Sequence, residues 1–140
     1  MLKGIDPIIS PELLKILCEM GHGDEIVIAD ANFPSVTMAQ RLVRADGIGA
    51  AQLLEAILKV FPLDHYVENP FVLMEVVPGD PYVPTIWDEY REILGRHDPE
   101  TQIGYEERFA FYERTKKAYA VIASGETAQY GNILLKKGVI

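Results

Sequence analysis

The segment from Met20 to Pro34 constrains the fold more than any other part of the chain. His22 lies there between two glycines. Because glycine permits backbone turns that a side chain would block, we expect a tight loop with the imidazole at its tip. The mainly apolar run Glu25–Ala29 predicts a buried strand, and Asp30 stands at its carboxyl end. Ligands in open α/β sheets usually bind at that end, so we expect His22 and Asp30 to face one pocket.

Strand and helix patterns alternate along the whole chain. Short apolar runs predict strands at Glu25–Ala29, Leu42–Arg44, Phe71–Val77, Tyr119–Ser124 and Ile133–Leu135. Helical spacing of apolar residues predicts helices at Ser10–Met20, Gly49–Phe61, Thr85–Leu94 and Glu106–Tyr119. The stretches 32–35 and 95–104 predict loops. This alternation predicts an α/β layered fold, a mostly parallel mixed sheet flanked by helices, in a single domain over residues 1–140.

Composition narrows the range of partners. The chain has 140 residues, 49% of them hydrophobic, and a net charge of −8. Nucleic-acid binding normally needs a basic surface, and anionic lipids attract basic segments, so we expect neither nucleic acid nor membrane as a partner. The basic pair Lys136-Lys137 is assigned to a solvated face. No apolar run has the length of a membrane span and no signal-peptide pattern is present, which favours a cytoplasmic protein.

Little in the sequence supports a metal site. Cys18 is the only cysteine, which excludes a multi-cysteine zinc site, and its place in a helical apolar pattern predicts a packed thiol. His22, Asp24 and Asp30 are close in sequence and form the alternative ligand set. However, no second histidine lies near them and the helical spacing of common zinc hydrolases is absent. We therefore predict no metal.

His22 and Asp30 together form a candidate acid/base pair. Imidazole titrates near neutral pH, and a neighbouring carboxylate can orient or polarise it. His65 and His97 lie among polar residues and are assigned to solvent. Two structural alternatives stay open, a loop histidine bonded to a nearby carbonyl and an aspartate that caps a turn.

A second polar segment, Gly125–Asn132, follows the predicted fourth strand. Tyr130 and Asn132 can both donate and accept hydrogen bonds with hydroxyl groups, although a hairpin loop has a similar composition. Arg108 begins a helical pattern, where arginine is usually solvated. No nucleophile elbow, phosphate loop or dinucleotide fingerprint is present. The residues alone indicate a cofactor-free acid/base site or a binding pocket for a polar small molecule.

Three stretches of the chain match a known family. They are Ile9–Leu14 running into Glu19–Ile26, then Arg108–Arg114, and finally Ser124–Glu126 with Tyr130–Val139. On these residues the chain resembles the sugar mutarotases of the fucose-mutarotase and ribose-pyranase family over essentially its whole length. The stretch that begins at Arg108 favours the fucose branch, because ribose pyranases usually have a histidine in that region.

The resemblance implies an isomerase that interconverts the α and β anomers of a free aldose, in the fucose branch L-fucose, without a cofactor. It implies that His22 is the catalytic residue. It also implies that the sugar is bound by Asp30, Arg108, Tyr130, Gly131 and Asn132. Tyr130 would act as a hydroxyl donor or as a second proton-transfer group, and Gly131 would let the backbone approach the sugar closely.

The resemblance further implies a homodecamer of two pentameric rings placed back to back, with the sugar site near a subunit boundary. Two other functions stay open, a pyranose–furanose isomerase acting on ribose and a non-catalytic monosaccharide-binding module accessory to sugar uptake. A titratable His22 favours an enzyme over the module, because binding alone needs no such group.

Overall fold

Six apolar segments form one sheet in the computed structural model, which describes residues 1–140. The strands are β1 (Glu25–Ala29), β2 (Leu42–Ala45), β3 (Phe71–Met74), β4 (Ile103–Glu106), β5 (Ala120–Ser124) and β6 (Ile133–Lys136). Their spatial order is β2-β5-β1-β6-β3-β4. β5 runs parallel to β1 and β2, and β4 runs parallel to β3, whereas β6 runs antiparallel to both β1 and β3. The predicted mostly parallel mixed sheet is therefore confirmed.

Five helices cover the two faces of this sheet. They are α1 (Pro11–Glu19), α2 (Ser35–Met38), α3 (Ala50–Leu58), α4 (Ile86–His97) and α5 (Arg108–Lys117). Helices α1, α3 and α4 pack on the face to which Ile26 and Ile28 of β1 point. Val27 points to the opposite face, where Phe111 of α5 is fully buried. Successive side chains of β1 thus point to opposite faces of the sheet, and helices cover both faces, which gives the predicted α/β layers. No helix is both long enough and apolar enough to span a bilayer.

Both ends of α1 are capped by side chains. The Ser10 hydroxyl accepts a backbone hydrogen bond from the first turn at 3.1 Å, as the Ser-Pro-Glu start predicts. At the other end the Lys137 ammonium donates to the carbonyl oxygens of Leu17, at 2.7 Å, and Met20. The assignment of Lys137 to a solvated face is therefore wrong. The unpaired carbonyls at a helix C-terminus attract a cation, and here that cation comes from the chain directly after β6.

The elements that the sequence pattern missed are short or lie at an edge. β4 falls in and beyond the stretch predicted to be irregular, is the last strand of the sheet and pairs only with β3. Gly104 interrupts its apolar pattern. α2 has only four residues and no side-chain cap; its first residue, Ser35, falls in the predicted loop, and no element was predicted for the rest. β3 ends at Met74 rather than Val77, and α4 continues to His97.

Two assignments of single side chains are wrong. Cys18, predicted to be a packed thiol, is exposed because it lies on the outer side of α1. His97, assigned to solvent, is half-buried, and its Nε2 lies 2.8 Å from Glu55 Oε1 on the neighbouring helix α3. The helix of Cys18 was predicted correctly, but its rotation relative to the core depends on the packing of distant segments. His97 was placed in the irregular stretch 95–104, whereas it is the last residue of α4.

Candidate active site

A cavity of about 250 Å³ opens where β1 and β3 end and β6 begins. Its lining residues are Asp30, Asn32, Phe33, Met74, Val77, Arg108, Tyr112, Gln129, Tyr130 and Asn132. This cavity, called the Asp30 cavity below, brings together four of the residues predicted for the site. They are Asp30, Arg108, Tyr130 and Asn132, which lie in three distant parts of the sequence.

Asp30 and Asn132 meet because β1 and β6 are antiparallel neighbours. Ile28 pairs with Ile133, so the residues that follow β1 face those that precede β6. Asp30 N–H donates to Asn132 Oδ1 at 2.7 Å, and Asp30 Oδ1 accepts from Asn32 N–H at 3.0 Å. Both Asp30 and Asn132 are buried. Asn132 therefore positions Asp30 with its amide oxygen, and its amide nitrogen has N–H groups for the Asp30 carboxyl group and for a ligand.

Burial raises the pKa of the Asp30 carboxyl group above its usual range. Hydrogen bonds from the Asn32 backbone, the Asn132 side chain and the backbones of Phe33 and Gly131 act in the opposite direction and offset only part of this effect. A carboxyl group in this state exchanges a proton closer to neutral pH than a solvated one does. Asp30 is therefore suited both to accept hydrogen bonds from hydroxyl groups and to take part in proton transfer.

Tyr130 is held in one orientation by three contacts. Its hydroxyl donates to Asp80 Oδ2 at 2.6 Å and accepts from Val77 N–H at 3.3 Å, and its carbonyl accepts from Trp87 Nε1–H at 2.8 Å. The hydrogen bond to Asp80 raises the pKa of Tyr130, so the phenol keeps its proton. Its φ of 58° lies in the left-handed region, which is uncommon for a residue other than glycine and is found at functional sites.

Arg108 is the first residue of α5 and points its guanidinium toward the Asp30 cavity. Its Nε–H donates to Tyr112 Oη at 3.0 Å, and its Cζ lies 5.3 Å from the Tyr112 ring centroid. That hydrogen bond raises the pKa of the guanidinium, which stays charged. The other N–H groups of this planar fork remain available to bind two oxygen atoms of a ligand at once.

Gly131 does not line the Asp30 cavity, and its neighbours leave little room for a side chain. A Cβ atom at this position would lie 3.1 Å from Ala128 O and 3.3 Å from Tyr90 Oη. The Gly131 carbonyl accepts a hydrogen bond from the buried Tyr90 hydroxyl at 2.8 Å. Its predicted contact with a sugar stays a prediction.

His22 lies at the opposite end of β1 from Asp30, so the expectation that both face one pocket of the same chain is wrong. β1 has five residues and therefore separates the two side chains by about 16 Å. His22 Nε2 lies 3.1 Å from Asp64 Oδ1, and the imidazole contacts the Tyr66 ring with centroids 5.4 Å apart. The His22 side chain is 43% exposed, whereas that of Asp64 is 4% exposed.

The ligand set of the metal alternative does not converge. Asp24 accepts a hydrogen bond from Gly21 N–H at 2.8 Å, His22 is paired with Asp64, and Asp30 lies beyond the far end of β1. No group of three histidine, cysteine or acidic side chains is arranged to hold a metal ion.

A second cavity, of about 370 Å³, lies on the other side of Asp30 and is lined by Arg44, Asp46 and Ser124 among others. Arg44 is already paired there with Asp46 at 2.6 Å. The Ser124 hydroxyl is also engaged, because it donates to Ala29 O at 2.6 Å. The Asp30 cavity is therefore the better ligand site, since its donors and acceptors are oriented but not fully paired.

Several residues of the site were missed by sequence reasoning. Tyr112 has a detectable signal, because positions four apart on a helix face each other and Arg108 is four residues before it. Asp64 gives no such signal in the sequence, since 42 residues separate it from His22. Asp80 has none either, since 50 residues separate it from Tyr130.

Known proteins resemble this chain over its full length. An L-fucose mutarotase of Actinobacillus pleuropneumoniae is 53% identical over 140 residues, which cover 99% of this chain and 97% of that protein. The crystal structure of the fucose mutarotase from Streptococcus pneumoniae in complex with L-fucose has 53% identity and a TM-score of 0.94, with 99% of each chain covered.

A more distantly related structure was solved with a different sugar. Bacillus subtilis RbsD complexed with D-ribose has 25% identity and a TM-score of 0.73, over 100% of this chain and 99% of that one. The family model described as RbsD / FucU transport protein family matches residues 3–140. Family model and relatives agree over nearly every residue, and the chain therefore belongs to the RbsD / FucU family.

Proposed function

We propose that this protein interconverts the α and β anomers of free L-fucose. The observation that supports this most strongly is the 53% identity, over 99% of the chain, to an L-fucose mutarotase. The Streptococcus pneumoniae relative, at the same identity, was solved with L-fucose bound, whereas the relative solved with D-ribose is only 25% identical. A role in ribose isomerisation is correspondingly less favoured.

The reaction needs proton transfers and no change of oxidation state. A base removes the proton from the anomeric hydroxyl while an acid protonates the ring oxygen, and the bond between C1 and the ring oxygen breaks to give the open aldehyde. Rotation about the C1–C2 bond presents the other carbonyl face, and the reverse transfers close the other anomer. General acid/base groups with pKa values near the working pH are sufficient for these steps.

The Asp30 cavity supplies binding groups for sugar hydroxyls. Asp30 accepts hydrogen bonds from hydroxyls and can exchange a proton, and Arg108 binds two oxygens with its free N–H groups. Asn132 donates through its amide nitrogen, since its oxygen is bonded to Asp30 N–H. Tyr130 donates its own proton to Asp80, so it accepts a hydrogen bond from the sugar as long as that contact persists. Gly131 remains a backbone contact in this proposal.

His22 is the proposed proton carrier, and it reaches a sugar only in the cavity of another chain. The length of β1 keeps it away from the Asp30 cavity of its own chain. A homo-oligomer, in our proposal the decamer of two pentameric rings, would bring the exposed imidazole against a neighbouring cavity. The exposed apolar side chains beside that cavity, Phe109 at 65% and Val77 at 38%, support a subunit contact there. A cytoplasmic location remains part of the same proposal.

Saturation-transfer proton NMR tests the activity directly. Saturating the α-anomeric proton of equilibrated L-fucose should attenuate the β-anomeric signal when the protein is added, and the effect should grow with its concentration. D-Ribose in a parallel sample tests the ribose alternative, and we expect a much weaker effect. Exchange on L-fucose no faster than in buffer would overturn the proposal and leave a binding module.

His22→Ala is the matched control for that assay. It should abolish most of the exchange while L-fucose still binds, because the Asp30 cavity of each chain is unaltered. Exchange at the wild-type rate in this variant would contradict the role of His22, while leaving the activity itself in place.

A further inference from the structure

The His22 end of β1 contains a buried carboxylate that the ring opening described above does not use. Asp64 is 3% exposed, and its Oδ1 lies 3.1 Å from His22 Nε2. The same oxygen accepts a hydrogen bond from Tyr66 N–H at 3.0 Å. Burying a carboxylate costs free energy unless hydrogen bonds replace its lost contacts with water. The two donors to Asp64 can do so only if they are held in place.

Both partners of this pair are fixed to the end of β6 and to the residue that follows it. Asp64 N–H donates to Lys136 O at 3.1 Å. The adjacent Leu63 forms a bridge with Lys137, which brings the two backbones side by side. On the other side of the pair, Gly23 N–H donates to Lys137 O at 2.8 Å. The His22 loop and the Asp64 segment are therefore held by the same short stretch of backbone.

Gly138 completes this arrangement. A Cβ atom at residue 138 would lie only 2.4 Å from Leu63 O. The segment that holds Asp64 therefore approaches the backbone of Gly138 more closely than any side chain there would permit. The Gly138 N–H donates to Pro62 O at 2.8 Å. The distance between His22 and Asp64 is thus set by backbone contacts rather than by two flexible side chains meeting in solvent.

The protonation of the pair follows from its surroundings. Burial acts to raise the pKa of Asp64, but hydrogen bonds from Tyr66 N–H and His22 and the nearby charge of Lys136 outweigh it, so the pKa lies below the usual range. An ionised carboxylate only accepts hydrogen bonds, so the proton between the two side chains belongs to His22 Nε2. In the neutral ring Nδ1 then holds the lone pair.

We propose that Asp64 is the positioning residue for His22: it fixes the imidazole as the Nε2–H tautomer and leaves Nδ1 as the nitrogen that exchanges protons with the sugar. This inference rests on the proton-carrier role proposed above for His22. During ring opening the O–H bond at C1 breaks and its proton passes to Nδ1, while the bond between C1 and the ring oxygen breaks and the ring oxygen takes a proton from the acid of the cavity, for which Asp30 is the candidate. The proton on Nε2 stays hydrogen-bonded to Asp64 throughout. Reclosure returns the Nδ1 proton to the anomeric oxygen.

Asp64→Asn keeps the shape of the side chain and removes its charge. We expect kcat for L-fucose anomer exchange to fall by about 100-fold, the contribution typical of a positioned acid/base group. KM should change less than about twofold, because Asp64 does not reach the Asp30 cavity. Asp88→Asn removes a comparable but exposed carboxylate, paired with Arg91 on α4, and should leave both constants unchanged.

The tautomer itself provides a readout that does not depend on activity. Solid-state 15N NMR of sedimented, 15N-histidine-labelled protein at pH 8 distinguishes a protonated from an unprotonated ring nitrogen, and the spectrum of His22→Ala assigns the signal among the three histidines. We expect an unprotonated Nδ1 and a protonated Nε2 in wild type. Asp64→Asn should shift the population toward the Nδ1–H form.

The outcomes separate this inference from the proposed function. Wild-type protein with protonated Nδ1, or Asp64→Asn with wild-type kcat, overturns the role of Asp64 even if the protein is a mutarotase. Wild-type protein that catalyses no exchange overturns the proposed function, and the role of Asp64 falls with it, whatever the tautomer. If Asp64→Asn fails to fold, the wild-type tautomer still tests the proposal, since a protonated Nδ1 would overturn it.

Discussion

Mixing two inactive variants tests whether one sugar site is built from two chains. His22→Ala lacks the proposed proton carrier but keeps an intact Asp30 cavity. Asp30→Asn keeps His22 but lacks the carboxylate in its cavity. Because β1 places the two residues about 16 Å apart within one chain, each variant can supply what the other lacks only across a subunit boundary.

The expected recovery of activity follows from the fraction of subunit boundaries at which Asp30 of one chain meets His22 of another. In oligomers assembled at random from equal amounts of the two variants, a cavity with Asp30 faces a neighbour with His22 in about one case in four. The mixture, denatured and refolded together, should therefore show about a quarter of the wild-type exchange rate measured by saturation-transfer NMR on L-fucose. Each variant refolded alone should show almost none.

Wild type mixed with a chain that carries both substitutions is the matched control. If the site spans two chains, only boundaries between two wild-type chains are active, about a quarter of the total. If one chain supplies both residues, about half of the sites remain active. A variant mixture no more active than its separate components, together with half activity in this control, would refute the two-chain site.

Two further predictions concern stability. Lys137→Met should lower the free energy of unfolding in urea by about 2 kcal/mol, because two carbonyls at the end of α1 lose a charged donor; an unchanged midpoint would contradict the capping role. Asp30→Asn should be more stable than wild type at pH 7.5, because burial raises the pKa of Asp30 and penalises its ionised form. Wild-type stability falls as the pH rises from the usual carboxyl range through the raised pKa, so the two proteins should converge below about pH 4. A difference that persists unchanged at pH 4 would refute this cause.

The strands that sequence predicts almost to the residue are those buried on both faces. β1, β5 and β6 have no exposed residues, and apolar runs mark all three almost to the residue. β4 could not be predicted, because none of its four residues is buried and Gly104 interrupts its apolar pattern. Local sequence predicts an element where the core requires apolar side chains at every position.

The candidate site was predictable in its residues but not in its geometry. The strand end predicted Asp30 from sequence alone, while Arg108 and Gly131 depended on the resemblance to a family. His22 and Asp30 were expected together because they are close in sequence, but the extended strand β1 lies between them and holds them apart. Asp64 was missed because its pairing with His22 depends on the path of the backbone after β6.

The place of β6 in the sheet has a consequence for the order in which the protein can fold. β6 is the last strand along the chain, yet it lies between β1 and β3 and is the only link between the β2-β5-β1 half and the β3-β4 half. During synthesis the two halves cannot join until residues 133–136 have emerged. Asn132, which precedes β6, and Lys137, which follows it, then reach Asp30 and the His22 loop in the same event. The surroundings of Asp30 and of His22, at the two ends of β1, are thus completed last and together, so a chain that lacks β6 has neither site complete.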